Sequence, residues 1–126
     1  MLQAARVAVA IGYAFAAWLM AGMLIHAGYT MLPKWAAGVV HSGGVLLVFI
    51  PVFRLYFRGP SPLSPALTTA VAVFFIIGLD LVLIAPYFLH AYDFFLSFWH
   101  WQLPALLVAG SIYGTGRAAA AQAALN

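Results

Sequence analysis

Apolar residues along this chain neither alternate with polar ones nor mark out one face of a helix. They run almost unbroken over 4–29, 33–57, 65–90 and 94–114, with polar residues gathered at the joints. Each run matches or exceeds the roughly 20 residues that an α-helix needs to cross a hydrocarbon core about 30 Å thick. The period-two alternation of a membrane β-barrel is absent. The pattern therefore predicts an all-α integral membrane protein, a four-transmembrane-helix bundle forming a single domain over 1–126. Those spans leave no room for a soluble domain.

The joints carry recognisable punctuation. Pro33 has the fixed φ suited to a first helical position, and Ser64 followed by Pro65 reads as an N-cap and first residue. Between the second and third runs, Arg58 to Ser64 is dense in residues that stop helices and favour turns. Asp93 is expected to cap the fourth helix. The first run is too long and too weakly charged at its start for a cleavable leader, so it is expected to remain as a span. Gly12 with Ala16, Gly38 with Ser42 and Gly110 with Gly114 are small pairs four apart, which would allow helices to approach closely.

Composition sharpens this picture in two ways. The chain has five Lys and Arg, and its only acidic residues are Asp80 and Asp93. Arg6, Arg54, Arg58 and Arg117 fall at one side of the predicted bundle and Lys34 alone at the other, so both termini are expected to be cytoplasmic. The expected location is a bacterial inner membrane. Absence of cysteine removes disulfides and thiolate metal sites. The few basic residues form no cluster, which argues against nucleic acid as a partner. Association with itself or with a larger membrane complex is expected, beyond the lipid bilayer.

Candidate chemistry lies in the polar side chains within apolar runs, because each costs free energy there. These are Asp80 and His26, His41, His90 and His100. In the expected topology all the histidines lie in the outer half, with His41 and His100 at similar depth, about 10 Å below the helix ends. Asp80 lies about 15 Å down. Its expected partner is His41, His100 or Tyr87, the last being seven residues on and so on the same face of an α-helix. His90 is expected to pair with Asp93 at the interface.

His41 and His100 on separate helices, with Gly43 and Gly44 leaving space for a flat group, suit bis-imidazole ligation of haem b. With Asp80 they would instead make a two-histidine, one-carboxylate metal site. His26 near Met23 and Met20 suits a soft ion such as copper(I). Pro51, Pro86 and Pro104 free the carbonyls of Leu47, Val82 and His100. No glycine-rich phosphate loop, HExxH or GxSxG is present. Nor is there any glutamate, on which small four-helix multidrug exporters depend in their first helix.

The expected function is thus a membrane subunit with a histidine-lined site near the outer face, binding haem b at His41 and His100, or a transition metal ion at His26, His41, Asp80 and His100, for electron transfer or a membrane redox complex. Two alternatives stand beside it. One is a cofactor-free accessory subunit of a larger complex; the other is a small proton-coupled transporter using Asp80.

Overall fold

The computed structural model describes residues 2–125, and every regular element among them is helical. Helix α1 spans Leu2–Met31 and α2 spans Lys34–Phe57. Helix α3 spans Pro65–Leu79 and continues without a break into a π-helical stretch, Asp80–Leu89. A 3-10 turn, Asp93–Leu96, and a π turn, Phe98–Gln102, lead into α4, Leu103–Ala123. Three helices, Leu2–Met31, Lys34–Phe57 and Pro65–Leu89, are long and apolar enough to cross a membrane.

The expected start of the fourth helix at Asp93 is corrected. The chain is extended at Ser97 (ψ 118°), so no single helix begins at Asp93. Ser97 is the cap, its hydroxyl accepting the His100 N–H at 3.3 Å. Pro104 lies just beyond the π turn and has no N–H to bond the His100 carbonyl; the wide turn instead joins the Leu103 N–H to the Phe98 carbonyl, five residues back. Pro86, by comparison, lies within the π stretch Asp80–Leu89. Pro51, by contrast, is accommodated within the continuous α-helix of α2.

Helix α1 packs against α2 and α3, and α4 packs against the same two. On α1 the contact stripe is Ala10, Ala14, Ala17 and Ala21, all buried. Their spacing of three and four residues keeps one side of the helix small. Phe49, Phe53 and Ile112 fill the centre. The small pairs expected from sequence are not the close approaches: a Cβ built on Gly12, Gly38, Gly110 or Gly114 meets nothing within 4 Å. Tight contacts fall instead at Gly28 against Val40, Gly44 against Leu24, and Gly116 against Phe57 and Pro65.

Outward surfaces are apolar. Trp35 and Leu47 on α2 and Phe74 on α3 are 77%, 75% and 76% exposed, a distribution suited to lipid and not to water.

At one end the α2–α3 loop is tied down by its own backbone. Arg6 donates to the Ser61 carbonyl at 3.0 Å and to that of Pro62, the Tyr56 hydroxyl accepts the Leu63 N–H at 2.8 Å, and Thr68 donates to the Leu63 carbonyl at 3.3 Å. Ser64 caps α3 with Pro65 in its first turn, as the sequence indicates. Gly116 lies at this same end. A Cβ there would stand 2.6 Å from Phe57 Cζ and 2.8 Å from Pro65 Cβ. Gly116→Ala is therefore expected to cost about 1–3 kcal/mol through overpacking. Gly114→Ala, with open space around it, should change stability by no more than about 0.5 kcal/mol. Unfolding midpoints of the two variants in one detergent check the contrast.

Candidate functional site: a carboxylate held by two indoles

Asp80 stands where α3 widens into its π stretch, and it is largely enclosed by α1 and the segment preceding α4. Trp18 Nε1 of α1 donates to Asp80 Oδ1 at 3.0 Å, and Trp101 Nε1 of the second π turn donates to Oδ2 at 3.1 Å. Each carboxylate oxygen thus receives one N–H. Aromatic rings back both indoles: Phe15 stacks on Trp18 with centroids 6.1 Å apart, and Phe95 meets Trp101 edge to face at 4.8 Å.

The expected partners of Asp80 are thereby corrected. Neither His41, His100 nor Tyr87 bonds to it. Tyr87 is 71% exposed. The reason is local: π turns carry more residues than the 3.6 of an α-helix, so a spacing of seven no longer returns to the face of Asp80.

Energetics explain why two donors are present. An Asp at the centre of a spanning helix costs about 2.5–3.5 kcal/mol on the insertion scale. A hydrogen bond to a charged acceptor contributes about 1.5–3 kcal/mol. Two such bonds offset the cost; one does not do so reliably.

Tyr29 and His100 form the second polar contact of this end. The Tyr29 hydroxyl lies 3.2 Å from His100 Nδ1, the tautomer of the ring deciding which group donates. The Tyr29 ring also meets His41 edge to face, with centroids 6.3 Å apart. His41 is half-buried, and its Nδ1 is shut away from solvent without a hydrogen-bond partner. His100 is exposed. Trp18 and Tyr29, eleven residues apart, lie on one face of α1. The neighbours His100 and Trp101 diverge from one π turn, the first reaching Tyr29 and the second Asp80.

The other sequence candidates lie elsewhere. His26 is exposed on α1, as are Met20 and Met23. His90 ends the π stretch with its backbone, in the left-handed conformation at φ 50°; it is the one non-glycine residue with positive φ among those described. Among the described residues, no three or more His, Cys, Asp or Glu side chains come together in a way that could hold a metal ion. The proposed set of His26, His41, Asp80 and His100 is not gathered at one point. The structure brings together His41 and His100 through Tyr29, and holds Asp80 separately between indoles.

Trp18 and Trp101 are the residues that sequence reasoning missed. One signal pointed to Trp18: it lies mid-span, far from the interfacial belts where tryptophans usually collect. No protein family, curated protein or solved structure matches this chain.

Proposed function

We propose that the chain is a small proton-coupled transporter of four membrane-spanning helices, with both termini cytoplasmic, in which Asp80 alternately holds a proton and an organic cation. The observation that carries this reading is the carboxylate with an indole N–H on each oxygen inside an apolar helix bundle. A carboxylate there carries one negative charge, so a proton and a cation compete for it, and binding either one displaces the other. That competition is the coupling. Rings of Trp18, Trp101, Phe15 and Phe95 add faces to which an organic cation is attracted, and the wide turns at Asp80 and Trp101 are a feature that recurs at functional sites.

The orientation rests on the arginines. Arg6, Arg54, Arg58 and Arg117 belong to the end of the loop and chain termini, opposite Asp80 and the histidines. The site then faces the outer half of the membrane, and lipid covers the exposed apolar surface. The expected test result is uptake of tetraphenylphosphonium by proteoliposomes that are acidic inside, collapsing when the pH gradient is dissipated. Uptake no greater than in protein-free liposomes contradicts the reading.

A second reading is favoured by one observation, the buried and unpartnered Nδ1 of His41. In it, His41 and His100 serve as ligands of haem b or a metal ion, with Tyr29 between them and a partner complex supplying the electron path. A Soret band that shifts on reduction and is lost in His41→Ala is its expected signature. Colourless, metal-free protein purified from cells supplied with haem and metals would count against it. A cofactor-free accessory role is what remains if both tests fail.

A further inference from the structure

We infer that the groove between α2 and α4, at the end opposite Asp80, seats an anionic phospholipid, its phosphate on Arg54 and Arg58 and an acyl chain along the glycine face of α4. The inference rests on the reading of this chain as membrane-spanning and is independent of Asp80.

The groove is an open hollow of about 380 Å³. Arg54, Arg58 and Ile50 line it from α2, and Gly110 and Gly114 line it from α4. A second hollow of about 310 Å³ adjoins the same two arginines beside Pro51 and Leu55. The shape of the larger hollow follows from sequence: a Cβ on Gly110 or Gly114 would meet nothing within 4 Å, so α4 presents bare backbone where a side chain would otherwise fill the space. Ile50, one turn deeper than Arg54, gives the inner part an apolar wall.

Charge selects the occupant. Arg54 and Arg58 are four residues apart on one helix face, a spacing at which like charges destabilise a helix. Both are exposed. Among the described residues no carboxylate side chain neutralises them, since Asp80 and Asp93 belong to the opposite end. Two planar guanidinium groups side by side match the oxygens of a phosphate. Arg58 caps α2 and Arg54 lies one turn inside it, which places them at the level of lipid headgroups while the hollow continues toward the acyl region. A charged head over an apolar, glycine-widened slot has the form of a phospholipid.

The test is native mass spectrometry of the full chain released from detergent, titrated with phosphatidylglycerol or phosphatidylcholine. The expected result is a tightly retained phosphatidylglycerol, favoured over phosphatidylcholine on the order of thirtyfold, given the attraction of two basic residues to an anionic surface. Arg54→Gln with Arg58→Gln should remove the preference. Gly110→Leu with Gly114→Leu fills the slot but keeps both charges, and should also lose the lipid. A Cβ at either position meets nothing within 4 Å, so the glycine variants are expected to fold, with an unchanged helical circular dichroism spectrum as the check. Retention of phosphatidylglycerol by the glycine variants would overturn the groove, leaving only general attraction to an anionic surface. Equal retention of both lipids by the native chain would overturn it too, as would inorganic phosphate displacing phosphatidylglycerol at equal concentration. Conversion of a native dimer to monomers by the glycine substitutions, with lipid retention unchanged, would assign the groove to a second copy of the chain instead.

Discussion

Asp80→Asn protein in liposomes accumulates no tetraphenylphosphonium above the protein-free level, although it still folds. Asparagine cannot carry the negative charge for which proton and cation compete, so the loss is complete and not partial. Its structural effect is smaller but has a definite sign. Both neighbours of Asp80 are donors, and an asparagine side chain offers only one oxygen acceptor; its amide nitrogen must then face the N–H of Trp18 or Trp101. One hydrogen bond is lost and two donors are opposed. A stability loss of about 1–3 kcal/mol is expected, measured by unfolding in detergent. Transport at the native rate by a folded Asp80→Asn protein would remove Asp80 from the mechanism.

Removing the indoles one at a time should show that they act on the carboxylate and not merely as packing. Trp101→Phe keeps an aromatic ring but takes away the N–H that reaches Oδ2. Interhelical hydrogen bonds in membranes average about 0.6 kcal/mol in double-mutant cycles, with a maximum near 1.7. A charged acceptor belongs at or above the upper end of that range. The cycle of Trp101→Phe with Asp80→Leu is therefore expected to give a coupling energy of about 1.5–2 kcal/mol, and the cycle with Trp18→Phe a similar one. Trp18→Phe and Trp101→Phe together leave the carboxylate without either donor and should cost more than the sum of the single changes. A coupling energy near zero in both cycles would reduce the two contacts to packing.

Much of the fold was legible because membrane helices are written in continuous apolar runs and in their breaks. Ser64 with Pro65 marks the start of α3, and the arginines collect at one end. Pro86 and Pro104 signalled disturbed helices, yet a missing N–H does not say whether the helix will kink or widen. It widened, and this moved Tyr87 away from Asp80 and brought His100 and Trp101 onto a single turn. The break at Ser97 was hidden because its neighbours, Phe95, Phe98 and Trp99, are as apolar as those of a helix. Small-residue pairs misled for a different reason: in a chain rich in Ala and Gly such spacings are frequent, and only packing decides that Ala10, Ala14, Ala17 and Ala21 face inward while Gly110 and Gly114 line a groove.

The site itself was half legible. A lone carboxylate within an apolar run has to be satisfied, and that much pointed to Asp80. Its partners were sought among residues that titrate, whereas the structure supplies them from tryptophans, which hydropathy counts as apolar although each carries one N–H donor. His41 and His100 each contact Tyr29 near one end, a link that spacing alone did not reveal.

The central claim is that Asp80 takes up and releases a proton within the folded membrane protein. Infrared difference spectra of the protein in lipid, recorded across a pH titration, observe that directly through the carbonyl stretch of a protonated carboxyl group. The account predicts a band that appears and disappears reversibly with pH, is absent in Asp80→Asn, and shifts when the indole donors are removed in Trp18→Phe or Trp101→Phe. A spectrum with no such band attributable to Asp80 at any pH where the protein stays folded would contradict it.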